Sequence, residues 1–128
     1  MDNYVEAITS NSFDPSLIER LQERTRNKKV IVTLDSCHNY EHVLREMNLY
    51  APLVSPGSYL VVQDTYLDDK EEWVELYATC PGYSVKGGPR KALHEFLKTT
   101  RDFTVDKSRE RFLFTFYPSG YLKKVMEQ

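Results

Sequence analysis

Two aspartates, Asp35 and Asp64, each close a short apolar run; His38 lies three residues after the first, and Gln63 immediately precedes the second. Two carboxylates brought close together repel unless a cation or a shared proton lies between them. Oxygen ligation by Asp35, Asp64 and the amide oxygen of Gln63 suits a hard ion such as magnesium, with water or a substrate hydroxyl completing its octahedron. Such a site could hold and deprotonate a hydroxyl. His38, in the loop after a strand, is a candidate general base or substrate contact because imidazole titrates near neutrality. The structural alternative for both aspartates is that they cap the following helices or tie down loops.

Other residues invite chemistry less directly. His38 and His42 are four apart and share a helical face if the helix begins that early, so His38, His42 and Asp35 could be drawn as an iron site of two histidines and a carboxylate. Packing and capping compete with that reading. Cys37 beside His38 has the composition of a nucleophile and base, yet adjacent side chains rarely point at each other. Gly87-Gly88-Pro89 lacks the spacing of a dinucleotide loop and reads as a turn before a helix. The alternating aromatics Phe112, Phe114 and Phe116, with Tyr121 after them, read as core packing.

These groups need a scaffold. Val30 to Leu34 is an almost continuously apolar, β-branched run, the pattern of a strand buried on both faces of a parallel sheet. Tyr59 to Val62 repeats it. Between them an apolar stripe of Val43, Leu44 and Met47 predicts a helix from about Tyr40 to Tyr50, ended by Pro52 and the Ser55-Pro56-Gly57-Ser58 turn. Strand, helix, strand predicts a right-handed βαβ unit with parallel strands. Ligands in open α/β sheets bind outside the carboxyl ends of the strands, where both aspartates fall.

Upstream, Asp14 and Pro15 mark the start of a helix running to about Asn27. Downstream, Trp73, Leu76 and Tyr77 predict one short helix, and Ala92, Leu93, Phe96 and Leu97 another. Phe103 to Val105 and Arg111 to Phe116 read as two final strands, followed by a short helical tail.

The 128 residues fit one α/β domain spanning 1–128. A net charge of −2 with interspersed signs offers no field for nucleic acid, and no apolar stretch reaches the roughly 20 residues that span a bilayer. Two cysteines, Cys37 and Cys80, are too few for a disulfide framework and suggest a reducing compartment. Without an apolar N-terminal run resembling a signal peptide, the expected location is cytoplasmic.

VTLDSCHNYEHVLREMNLYAPLVSPGSYLVVQDT, continued by GGPRKALHEFL and RFLFTFYPSGYLKKV, resembles the cephalosporin hydroxylase family, whose members have a class I methyltransferase fold. The resemblance covers most of the chain from about Phe13. It implies a partial Rossmann-like sheet, its strands resembling the fourth to seventh of that fold, with flanking helices. It also implies magnesium at Asp35, Gln63 and Asp64, His38 beside the same pocket, and S-adenosylmethionine as methyl donor. The implied activity is O-methyl transfer to a small hydroxylated metabolite or glycoside. The chain departs from the family pattern, which has acids where Cys37 and Gln63 stand; an amide at 63 keeps an oxygen ligand but removes a charge. The glycine-rich donor loop and the acid after the second strand of that fold are also missing from residues 1–29. The resemblance therefore implies a truncated domain whose first strand has an exposed edge, open to a missing N-terminal half or to a second copy of the chain. A catalytically silent, partner-binding module is the alternative.

Overall fold

The structure, a computed structural model, describes residues 5–72, 82–83, 86–111 and 115–126. Helix α1, Pro15–Thr25, starts where Asp14 accepts a hydrogen bond from the Ser16 amide at 2.9 Å. It stops two residues before the expected end. The Thr25 hydroxyl folds back on the Leu21 carbonyl at 2.7 Å, and Arg26, at ψ 128°, leaves the helical path before Asn27 takes a left-handed φ of 63°.

Strand β1, Val32–Leu34, helix α2, Tyr40–Tyr50, and strand β2, Tyr59–Val62, form the expected unit with parallel strands, Val32 level with Leu60 and Leu34 with Val62. A 3-10 turn, Ala51–Leu53, continues α2. A second, Thr65–Asp69, follows β2. Helix α3, Pro89–Thr99, packs against α2 and leads to strand β3, Phe103–Val105. The last strand, β4, is Tyr121–Lys124, antiparallel to both of its neighbours in a sheet of order β1-β2-β4-β3.

Two expectations are corrected. The tail is a strand, because Leu122 pairs level with Leu60 and is fully buried in the core, while the Lys124 ammonium donates to the Val54 carbonyl at 2.8 Å. Of the strand Arg111 to Phe116, residues 112–114 lie outside those described and Arg111, Thr115 and Phe116 are not in a strand; the helix at Trp73, Leu76 and Tyr77 also falls outside the described residues. Nor is the sheet buried on both faces among the described residues. Leu34, Leu60, Val62, Phe103 and Leu122 lie on one face beneath Val43, Met47, Leu93 and Phe96 of α2 and α3, whereas Thr33 is exposed and Tyr59 and Val61 are half-buried. No described helix is long and apolar enough to cross a membrane.

Candidate metal and acceptor site

Parallel register decides the geometry of the site. With Leu34 level with Val62, and the Gln63 amide donating to the Leu34 carbonyl at 3.1 Å, the chain leaves β1 through Asp35 and β2 through Gln63 and Asp64 on the same rim. Asp64 then takes φ 54°, ψ 31°. This left-handed conformation costs an L-residue about 1–2 kcal/mol, less for Asp than for most because its short side chain bonds locally. His38 Nε2 meets Asp64 Oδ2 at 3.2 Å and Asp35 Oδ1 at 3.9 Å. One ligand atom from each of the three lies within 4.8 Å of the others. The Asp35 side chain is 56% exposed and that of His38 only 18%, so the cluster opens to solvent on the Asp35 side.

The capping alternative for the aspartates fails at both positions. Asn39, fully buried, caps α2 by accepting from the Glu41 amide at 2.8 Å, and Asp64 makes no side-chain cap bond to the turn it precedes. Two carboxylates suit a divalent ion, since charged oxygen ligands are the type magnesium takes, and the imidazole stands beside them. Gln63 stands on the same rim, where its amide oxygen accepts from the Tyr117 hydroxyl at 2.8 Å. Burial, and after it the charges of Asp64 and Asp35, push the Tyr117 phenol up, so it stays a neutral donor near neutral pH.

Tyr117 is the site residue that sequence reasoning missed. It lies 54 positions from Gln63, and only the antiparallel return into β4 brings the two together. His42, by contrast, is drawn away from the cluster. Because α2 begins at Tyr40, His38 precedes the helix and the two histidines share no face. His42 Nε2 faces Ser36 Oγ at 3.1 Å and Glu46 Oε1 at 3.2 Å, and its Nδ1 meets the Tyr83 hydroxyl. The iron triad of His38, His42 and Asp35 is therefore not assembled. Cys80 lies outside the described residues.

The glycines before α3 hold no phosphate loop. Asp68 fills that helix terminus, accepting from the Gly88 amide at 3.0 Å, the Arg90 amide at 2.8 Å and the Lys91 amide at 3.1 Å. Any Cβ on Gly88 would come within 2.5 Å of the Asp68 carboxylate. Residues 1–56 contain no glycine at all, so nothing before β2 furnishes the glycine-rich loop of a methyl-donor site.

A model of the family described as rhamnosyl O-methyltransferase/CmcI matches residues 1–125. A rhamnosyl O-methyltransferase of Mycobacterium tuberculosis is 35% identical over 120 residues, which cover 90% of this chain and 45% of the relative. The proteins of the same name from Mycobacterium bovis, at 35%, and Mycobacterium leprae, at 33%, are covered over 45% and 48% of their lengths. The chain thus spans about half the length of the curated relatives it matches. No solved structure matches significantly.

Proposed function

Because this chain belongs to the rhamnosyl O-methyltransferase/CmcI family, we propose that it carries the acceptor-activating part of a magnesium-assisted O-methyl transfer to a glycoside hydroxyl. The observation that carries the reading is the convergence of Asp35, His38 and Asp64 at the ends of two parallel strands. Asp35, Asp64 and the Gln63 oxygen hold the ion, and Tyr117 orients the Gln63 amide. A magnesium ion bound there supplies Lewis-acid polarisation of the acceptor hydroxyl. The His38 imidazole accepts the hydroxyl proton, and Asp64, 3.2 Å from its Nε2, stabilises the imidazolium that results. The relatives' name favours a sugar hydroxyl within the wider class of small hydroxylated metabolites. The methyl donor implied by the family is S-adenosylmethionine; the residues present do not furnish its loop, and the steps assigned to this chain stop at the activated acceptor.

Manganese titration followed by electron paramagnetic resonance tests the site without requiring turnover. Asp64→Asn should weaken binding about tenfold or more, and Gln63→Glu, which restores a charge, should strengthen it. Equal affinity in the wild type and both variants would overturn the metal reading.

A second reading has its own observation. Among the described residues β1 pairs only with β2, and Ile31 at its start is 60% exposed, so the free edge suits association with a partner or a second copy. A concentration-independent monomer mass in sedimentation, unchanged by Ile31→Lys, would count against it.

A further inference from the structure

Next to the carboxylate cluster the turn after β2 and the return into β4 are stitched together. The Tyr66 amide donates to the Phe116 carbonyl at 3.3 Å, and the Thr65 hydroxyl donates to the Pro118 carbonyl at 2.7 Å. Above this seam the rings of Tyr66 and Phe116 meet edge to face, their centroids 5.2 Å apart. They wall a cavity of about 430 Å³ completed by Asp69, Lys70, Thr115 and Pro118. Its volume falls within the roughly 300–1,000 Å³ of small-molecule sites.

The lining is of two kinds. Phe116 is 55% exposed, an apolar ring on a backbone tied to the turn after β2 through its own carbonyl and that of Pro118. Lys70 brings an ammonium to its rim, Thr115 a hydroxyl that accepts from the Tyr117 amide and can still donate, and Asp69 a carboxylate paired with the Arg90 guanidinium. A pyranose presents the same two kinds of surface: C–H groups on a ring face, which pack on an aromatic, and hydroxyls at the edge, which need donors and acceptors. Both chain segments that line the cleft also carry residues of the proposed site close by in sequence. Tyr66 is two residues from Asp64, a span of at most about 7 Å, and Tyr117, beside Phe116, donates to Gln63. The cavity that Asp35 itself lines offers no equivalent among the described residues, since the aromatic in its lining, Tyr50, is packed against the core.

We infer that the Tyr66–Phe116 cleft seats the sugar ring of the acceptor, stacking it on Phe116 so that a ring hydroxyl reaches the Asp35–His38–Asp64 cluster. This inference rests on the glycoside reading above and adds to it the subsite and its chemistry.

The test is saturation-transfer NMR on the full chain with methyl α-rhamnopyranoside as probe, irradiating aromatic protons, with and without manganese. Transfer to the sugar C–H protons should fall about fivefold in Phe116→Ala, the size expected for losing one aromatic face. It should be unchanged in Glu19→Ala, an exposed position on α1. Phe116→Leu, which keeps the apolar bulk, should lose most of the transfer too and guards against a folding artefact, with far-ultraviolet circular dichroism as the check. Manganese should broaden the same sugar resonances, because paramagnetic relaxation acts only at short range. No transfer in wild type that still binds manganese would overturn the cleft and leave the metal site standing. Transfer without manganese broadening, in protein that binds the ion, would overturn the link between cleft and site. Absence of manganese binding would instead remove the metal reading on which the inference rests.

Discussion

Truncating Glu46 to alanine perturbs a carboxylate that is only 2% exposed, the one charged residue buried among those described. It accepts from the Ser36 hydroxyl at 2.8 Å and faces His42 Nε2 at 3.2 Å. Ser36 follows the proposed ligand Asp35 directly, and His42 packs on the Phe13 ring at a centroid distance of 4.6 Å. Alanine leaves both donors without that acceptor, at about 1–3 kcal/mol for the largely buried His42, while the exposed Ser36 can turn to water. Breaking a buried pair costs about 3–5 kcal/mol in full, and the 14% exposure of His42 lets water recover part of it. The expected loss is therefore about 3 kcal/mol. With a urea slope of about 1–3 kcal/mol/M for a domain of this size, the unfolding midpoint should fall by roughly 1–3 M at unchanged slope. Glu46→Gln keeps an oxygen for Ser36 and should lose only about half as much. An alanine shift under about 1 kcal/mol, or a glutamine variant as damaged as the alanine one, would refute the reasoning.

Three further outcomes follow from single positions. At Asp64 the positive φ means that Asp64→Gly should be more stable than Asp64→Ala by about 1 kcal/mol in urea unfolding, while both lose manganese affinity equally. Gly120→Ala places a Cβ 2.3 Å from the Val62 carbonyl and should destabilise the β2–β4 pairing by about 1–3 kcal/mol, seen as faster amide exchange along β4. Hydrogen bonds from Ser108, then from Tyr59 and Arg109, hold the Asp106 carboxyl well below the usual carboxylate range. The unfolded chain therefore takes up that proton first, so this contribution is intact above about pH 4 and lost as the pH falls further. Asp106→Asn should flatten the acid limb of the urea midpoint between about pH 5 and pH 2; parallel limbs in variant and wild type would contradict the assignment.

The first half of the site could be read from local signals because each was complete within a few residues. A β-branched run ends at Asp35, Asn39 caps the next helix, a Ser-Pro-Gly-Ser turn reverses the chain, and a second such run ends at Gln63-Asp64. A parallel pair so connected places the ends of both strands on one rim, which is why the two aspartates could be set side by side before any coordinates. What escaped was set by partners far along the chain. The tail Tyr121–Lys124 has too few apolar residues to announce a strand, and becomes one because Leu122 fills the core opposite Leu60. His42 has the spacing of a metal pair with His38, but Ser36 and Glu46 hold it elsewhere, and no pattern in the sequence ranks those three contacts.

Asp64 departs from regular backbone directly after a strand, and although Asp tolerates a left-handed φ better than most L-residues, the conformation still costs energy. Neighbouring bonds enforce it: the Gln63 amide is tied to Leu34, the Leu67 amide donates to the Asp64 carbonyl at 3.0 Å, and the Thr65 hydroxyl is anchored at Pro118. The turn they enforce lets the carboxylate face His38 rather than cap the following turn. Strain at the residue that would bind the ion, sustained by neighbours that would not, is the arrangement expected where position serves chemistry before stability. It also explains why the Asp64→Gly and Asp64→Ala pair separates the two demands: one substitution relieves the backbone and the other does not, while neither retains a ligand.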